Sequence, residues 1–484
     1  MSQAGMPNTS LVSAEMIQRY LEAFAAEKGL MPHIRFNSWV QNVDRCALGW
    51  RLRANNCYYE SKKLILACGT SSVPGGVHFR VEPGASVCHS RDVAANLPEI
   101  EASRHVVVVG AAKSAYDMTY LLCSLGKRVT WLMRPDGSGP MPMMPYKIAG
   151  MHIVAIGSTR LMSYLSPSIF NTQTWLASFF HRTAIGRWLT RMSWRFFNYM
   201  CDKTAGFWKA NGMGILKPEP NELSCFWFTS ALGMITKGDF WGTLQKGNLS
   251  VARDSIDVAR EGSVLLRSGK VIECEYVISA TGWGDHFGFL SPSLRAELGI
   301  PSYENEGEKH VFWEAYDRNA KESVLKSMPL LAESPKRGEV TPDLKLQWRL
   351  YNRCIPFECA QREDRSVAVL GQLYTVQTST VAEIQALWAI SYMLGELDLP
   401  DDKVMIREIS EFQAWCGLRY SIFGERYPCA AFDWIGYLDR LLEDMGLRSH
   451  RKNNIFSEYF SPYGPETYRD CLQEYIAKRS NTSA

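Results

Sequence analysis

Between His105 and Gly110 the chain passes through four consecutive valines. A run with no polar face cannot line a half-solvated sheet. It predicts a strand buried on both sides, as in a parallel sheet covered by helices. The sequence then reads Gly110-Ala111-Ala112-Lys113-Ser114-Ala115, followed by a helical pattern from about Ala112 to Leu125 and a second apolar strand at Arg128–Met133. Strand, glycine turn, helix and strand form a β-α-β unit over 105–134. Such a turn leaves peptide N–H groups free at a helix N-terminus, where a dinucleotide pyrophosphate can sit. Gly110 supplies the turn, and Ala115 takes the third small position, where helix and strand pack closely. Ala112 stands where a second glycine is usual and adds a methyl group to the approach. Lys113 and Ser114 open the helix beside the expected phosphates. Arg134 falls just past the second strand. An acidic residue there would hold a ribose 2′-hydroxyl; a basic one suits the 2′-phosphate, so the site is expected to take NADPH. A plain β-α turn and a surface arginine are the competing readings.

Composition narrows the class. The chain has 484 residues, 46% of them apolar and 21% charged, with a net charge of +3. These values suit a globular protein of two or more domains. The small net charge, without a Lys/Arg-rich run, gives no case for nucleic-acid binding. The 13 cysteines are scattered, and Cys354 and Cys359 lack a zinc or redox spacing. No metal site or disulfide framework is expected, and a reducing, cytoplasmic location is the default. Residues 1–11 do not resemble a secretory signal, and no uninterrupted apolar run reaches the length of a membrane span.

Along the chain, Ser13 as N-cap, Glu15 in the first turn and Gly29 as stop frame an amphipathic helix over 14–27 with Ile17, Tyr20, Leu21, Phe24 and Ala25 on one face. Short strands are predicted at Ile34–Phe36, Gly49–Leu52 and Leu64–Ala67. Residues 137–201 contain no Asp or Glu, yet hold Lys147, Arg160, Arg182, Arg187, Arg191 and Arg195 among many aromatics. This predicts a helical insertion. Arg187, Arg191 and Arg195 share a face, flanked by Trp188, Met192 and Phe196, so residues 150–200 read as a substrate lid, a membrane-surface helix, a dimer contact or simple packing. Strands return over 247–282 and at 366–371. A helix from Ala382 ends before Gly395, and the tail from Asp433 is helical.

Two further segments carry a family resemblance. Leu64-Ile-Leu-Ala67-Cys-Gly69-Thr70, with Pro74 after it, and Tyr276-Val-Ile-Ser-Ala-Thr281-Gly282-Trp283 resemble the two strand-and-turn elements that join the cofactor domains of flavin-containing monooxygenases. Phe79, Gly84, His89, Ser90, Arg91 and Asp92 are similar to that family's linker signature, with longer spacings and Val93 in place of an aromatic. Val369-Leu-Gly371, Thr378-Ser-Thr380 and the following helix resemble the return to the FAD domain, where a helix N-terminus faces the flavin. Glu383–Trp388 and Tyr437–Arg451 look like fungal members linked to secondary metabolism.

The resemblance implies an α/β fold of two interleaved Rossmann-like domains, for FAD and NADPH, with a helical insertion. Residues 1–95 would be a remnant of the FAD domain. Residues 96–290 would bind NADPH, with the insertion at about 140–235. Residues 291–484 would return to the FAD domain and end in a helical tail. Gly110, Ala112, Lys113, Ser114 and Arg134 are the NADPH candidates, and Ala67, Gly69, Thr281 and Gly282 line the cofactor junction. No catalytic acid or base stands out. The implied activity inserts one atom of dioxygen into a small organic metabolite. Oxidation of nitrogen or sulfur, hydroxylation and insertion beside a ketone are all open. The family's FAD fingerprint, Gly-x-Gly-x-x-Gly on a first strand, does not occur near the N-terminus, so the chain is expected to lack roughly 80–100 N-terminal residues, much of a small domain. That leaves two rivals: an NADPH-binding remnant acting as a regulatory or assembly subunit, and an NADPH-dependent reductase. A homodimer is compatible with each.

Overall fold

The computed structural model describes residues 12–209, 212–218, 223–301, 307–335 and 347–482. The chain divides into two units, residues 1–62 with 289–291, and residues 63–288 with 292–484.

In the first unit, α1 spans Ala14–Glu27, with the Ser13 hydroxyl accepting the Met16 N–H as N-cap. The expected helix is therefore present, but of its apolar face only Ala25 is buried. Three antiparallel strands follow, β1 (Val40–Cys46), β2 (Gly49–Ala54) and β3 (Cys57–Ser61), in the order β1-β2-β3. Ile34–Phe36 is not a strand. A 3₁₀ turn at Met31–His33, with Pro32 inside it, and left-handed Asn37 (φ 53°) bracket the tripeptide and leave it no ladder to join. Val43 donates its N–H to the Phe289 carbonyl, which ties residues 289–291 to this unit.

In the second unit the chain forms β4 (Leu64–Leu66), β5 (Val87–His89), β6 (His105–Val109), the helix α2 (Lys113–Ser124) and β7 (Arg128–Met133). The insertion follows, and its longest helix is α3 (Ala184–Ala205). Then come β8 (Leu249–Arg253), β9 (Tyr276–Ser279), β10 (Val367–Val369) and α4 (Thr378–Met393). Five strands make one parallel sheet in the order β8-β7-β6-β9-β5. The four-valine strand β6 lies at its centre with every residue buried. Their branched side chains fill both faces, which is why the run has no polar alternation. Strands β4 and β10 pair in parallel as a separate two-stranded sheet.

Two features depart from the sequence pattern. α4 begins at Thr378, four residues before Ala382, so Thr378-Ser-Thr forms its first turn. The stretch after Gly282 also carries a long helix, Gly307–Ser327, whose polar composition hid its period.

Not all of the insertion's basic residues lie at the surface. Arg160 is 2% exposed. It forms ion pairs with Asp439 and Glu458 and also donates to the Tyr463 hydroxyl. The insertion is thereby fixed to the C-terminal tail through charges removed from water. Truncating one partner of such a set leaves the other charge uncompensated, so Asp439→Ala is expected to lower unfolding stability by about 3–5 kcal/mol in urea titration. A loss under about 1 kcal/mol would show that the pair is solvent-relaxed.

His181, on the helix Trp175–Arg182, is buried with Nδ1 lacking a partner. Burial, with the Arg419 charge, pulls its pKa down to about 4. The unfolded chain titrates near 6.5, so it binds a proton that the folded chain refuses. The stabilising difference is complete above pH 6.5 and is lost as pH falls toward 4, by up to about 3 kcal/mol. His181→Asn is expected to flatten that slope in thermal melts taken between these pH values; an unchanged slope would assign it elsewhere.

Candidate functional site

The site grows from the carboxyl edge of the parallel sheet. β6 ends at Val109, and the chain turns at Gly110 with φ 144°. A Cβ there would lie 2.3 Å from the Ala280 carbonyl oxygen and 3.3 Å from the Ala115 methyl. Glycine is required for both reasons: the backbone dihedral and the close passage of the chain leaving β9. Ala115 is fully buried against the turn, which accounts for a small residue at that position. The turn is held by the Gly110 N–H to Leu132 O and by the Trp131 indole N–H to Gly110 O at 2.7 Å. Trp131 also stacks edge-on against Tyr116 of α2. No sequence motif pointed to Trp131, because an aromatic in a buried strand looks like core.

α2 starts at Lys113 with Ala112 as an extended N-cap that offers no side-chain acceptor. The Ala115 N–H donates to Ala112 O at 2.9 Å, so the N–H groups of Lys113 and Ser114 are the ones left to an external acceptor. The Ala112 methyl is exposed, not wedged in the turn, so the departure from glycine does not close the helix mouth. Lys113 forms an ion pair with Asp117 one turn on. Ser114 is half-buried at the same end. Arg134 lies one residue past β7, at the same sheet edge; it is exposed, its carbonyl accepts the Gly137 N–H, and its guanidinium has no hydrogen-bonded or ionic partner among the described residues. Arg253 ends β8 alongside, and its guanidinium donates to Gly139 O at 3.2 Å. That second basic residue was not singled out in the sequence, since strand adjacency alone brings it near.

The two strand-and-turn elements meet. Gly75 donates its N–H to Gly282 O at 2.8 Å, and Gly284 donates to Val73 O at 2.9 Å. Gly282 has φ 89°, and Thr281 shares a 2.9 Å hydroxyl contact with Ser279. Ala67 and Gly69 follow β4 and are exposed. His89, at the end of β5, reaches the same point: its Nδ1 accepts the Arg91 N–H and its Nε2 lies 2.9 Å from Gly282 O. Those partners place the proton on Nε2, donated to the carbonyl. His89 thus holds the crossing of the two turns. His286 is a further member that the motifs missed. Its Nδ1 is 3.1 Å from the Ser72 hydroxyl, its buried Nε2 has no partner, and burial lowers its pKa.

On the other sheet, Leu370 donates to Leu66 O, and Gly371 (φ 75°) donates to the Gln385 side chain. Near the head of α4, the hydroxyls of Thr375 and Thr380 are buried without partners. Buried hydroxyls at a helix start suit a polar group bound there.

The comparisons give these elements a family. A family model described as pyridine nucleotide-disulphide oxidoreductase matches residues 2–151. The FAD-dependent monooxygenase DEP4 of Fusarium langsethiae is 34% identical over 484 residues, across 97% of this chain and 82% of its own. The chain belongs to the FAD-dependent monooxygenases. Another member, resA of Aspergillus sclerotiorum, is 30% identical across 97% of this chain and 85% of its own. Among solved structures, a steroid monooxygenase bound to NADP superposes with a TM-score of 0.53 at 13% identity, covering 90% of this chain and 84% of that one. An open form of cyclohexanone monooxygenase gives 0.52 at 14%, with 90% and 84% covered. These superpositions show the fold, two Rossmann-type domains in an α/β architecture.

FAD is the family's cofactor. The head of α4, with its two orphaned hydroxyls, fits a polar cofactor. A second glycine-rich β-α turn that would cradle the FAD pyrophosphate is not present among the described residues.

Gly110→Ala is expected to lower stability by about 2–4 kcal/mol, from the left-handed dihedral and the collision with Ala280. Chemical denaturation measures it. A midpoint equal to that of the unsubstituted protein would mean that the turn is not held in this form.

Proposed function

We propose that this monooxygenase is reduced by NADPH and places one oxygen atom from dioxygen in a small organic metabolite of secondary metabolism. The supporting observation is the pairing of an uncapped helix start after Gly110 with the exposed, unpartnered Arg134 at the next strand end. In this reading, residues 96–290 bind NADPH, and 1–95 with 291–484 form the FAD side. The N–H groups of Lys113 and Ser114 face the pyrophosphate, with Ala112 at the rim. Arg134 takes the 2′-phosphate as a charge-assisted pair, and Arg253 adds to the positive field at that edge. Ala67, Gly69, Thr281 and Gly282 line the junction, with the His89 Nε2–H holding the Gly282 carbonyl at that crossing. FAD, when bound, supplies the redox chemistry toward dioxygen; the protein's part is to orient both cofactors and exclude water. A peripheral contact of residues 150–200 with a membrane surface belongs to the same reading, on the basic and aromatic character of that segment; no helix among the described residues is long and apolar enough to cross a membrane.

Fluorescence titration with NADPH and NADH tests the assignment. NADPH is expected to bind about 10–100-fold more tightly, and Arg134→Ala to remove that preference while leaving NADH nearly unchanged, the size of one or two charge-assisted hydrogen bonds. Equal binding of the two nucleotides by the unsubstituted protein would overturn the NADPH reading. NADPH oxidation with no oxygenated product, in protein supplied with FAD, would favour a reductase.

A further inference from the structure

α3 carries two apolar faces, and only one of them is covered. Gly186, Thr190, Trp194, Phe197, Cys201 and Ala205 are buried. Ile185, Trp188, Met192, Phe196 and Tyr199 follow one another at intervals of three or four residues and form a single stripe on the other side. Each of these five is between 41% and 66% exposed. Trp175, on the helix that packs against α3, and Trp208, just past its end, are more than 70% exposed. A helix serving only as packing would carry polar residues along that line.

Charge accompanies the stripe. From Trp175 to Lys209 there are six basic residues, Arg182, Arg187, Arg191, Arg195, Lys203 and Lys209, and one acidic residue, Asp202. Asp202 pairs with Lys217, and Arg191 pairs with Glu333 at the end of the 3₁₀ segment Pro329–Glu333, outside the insertion. Along α3 and its flanks, basic residues thus outnumber acidic ones beside an apolar stripe. A symmetric contact between two copies through this face would set like charges against each other. An anionic lipid surface satisfies both features, since indole and phenol rings favour the headgroup boundary and guanidinium groups favour its phosphates.

We propose that α3 is an interfacial docking helix, lying in the plane of an anionic membrane with the Ile185–Tyr199 stripe at the headgroup boundary. The inference rests on the peripheral-contact reading above and names its residues and lipid class. It does not depend on which nucleotide the enzyme uses.

Co-sedimentation of the full chain with vesicles tests it, using phosphatidylcholine alone and phosphatidylcholine mixed with phosphatidylserine. Binding to the mixed vesicles is expected, with loss in high salt and a blue shift of tryptophan emission. The double variant Trp188→Glu with Met192→Glu is expected to weaken partition by roughly tenfold or more while its melting temperature and nucleotide titration stay as in the unsubstituted protein. Absence of binding to either vesicle, equal binding to both, or a variant that binds as well as the original overturns the proposal. So does light scattering that shows a dimer split by the double variant, which would make the face a contact between copies. Failure of the NADPH titration alone leaves the vesicle result unaffected.

Discussion

The tight crossing of Gly110 beneath Ala280 fixes most of what matters at the site. Two parallel strands, β6 and β9, end side by side, and the chain leaving one passes within contact of the turn leaving the other. Only a residue without a side chain permits that approach in that dihedral. Once the turn is set, α2 must point its N-terminus at the sheet edge, Trp131 can bond to the turn carbonyl, and Arg134 emerges on the same rim. The ligand-binding end of an open parallel sheet is its carboxyl edge for this reason: the turns there aim helix N-termini at a common crevice.

Around that edge, the chain uses backbone more than side chains. The two linking turns are joined by the Gly75–Gly282 and Gly284–Val73 hydrogen bonds, and His89 adds a side-chain tie to the same carbonyl. This suits a family in which the cofactor carries the difficult chemistry and the protein supplies position and dryness. It also explains why no acid–base pair is conspicuous in the sequence.

The insertion is organised on a different principle. Its anchor is a buried guanidinium, Arg160, whose carboxylate partners come from the C-terminal tail nearly three hundred residues away. On its inner face, Trp194 of α3 packs on Phe197, Phe226 and Phe432. The outer stripe has no such partner among the described residues. One helix thus serves both as core and as surface, and composition alone, being aromatic and basic throughout, does not tell the two sides apart.

The sequence by itself determined the β-α-β unit, the turn residue, the small residue facing it, and the basic residue at the end of the next strand. Those are local consequences of periodicity, dihedral freedom and spacing, and each occupies the place its neighbours along the chain dictate. It also carried the two strand-and-turn elements, through short runs that end in small residues. Only the tertiary structure decided that Ile34–Phe36 has no strand to pair with, that Arg160 is an internal ion-pair anchor, and that Trp131, Arg253 and His286 stand at the site. Each of these depends on which distant segment lies alongside, and neither a residue's type nor its spacing in the chain encodes that neighbour.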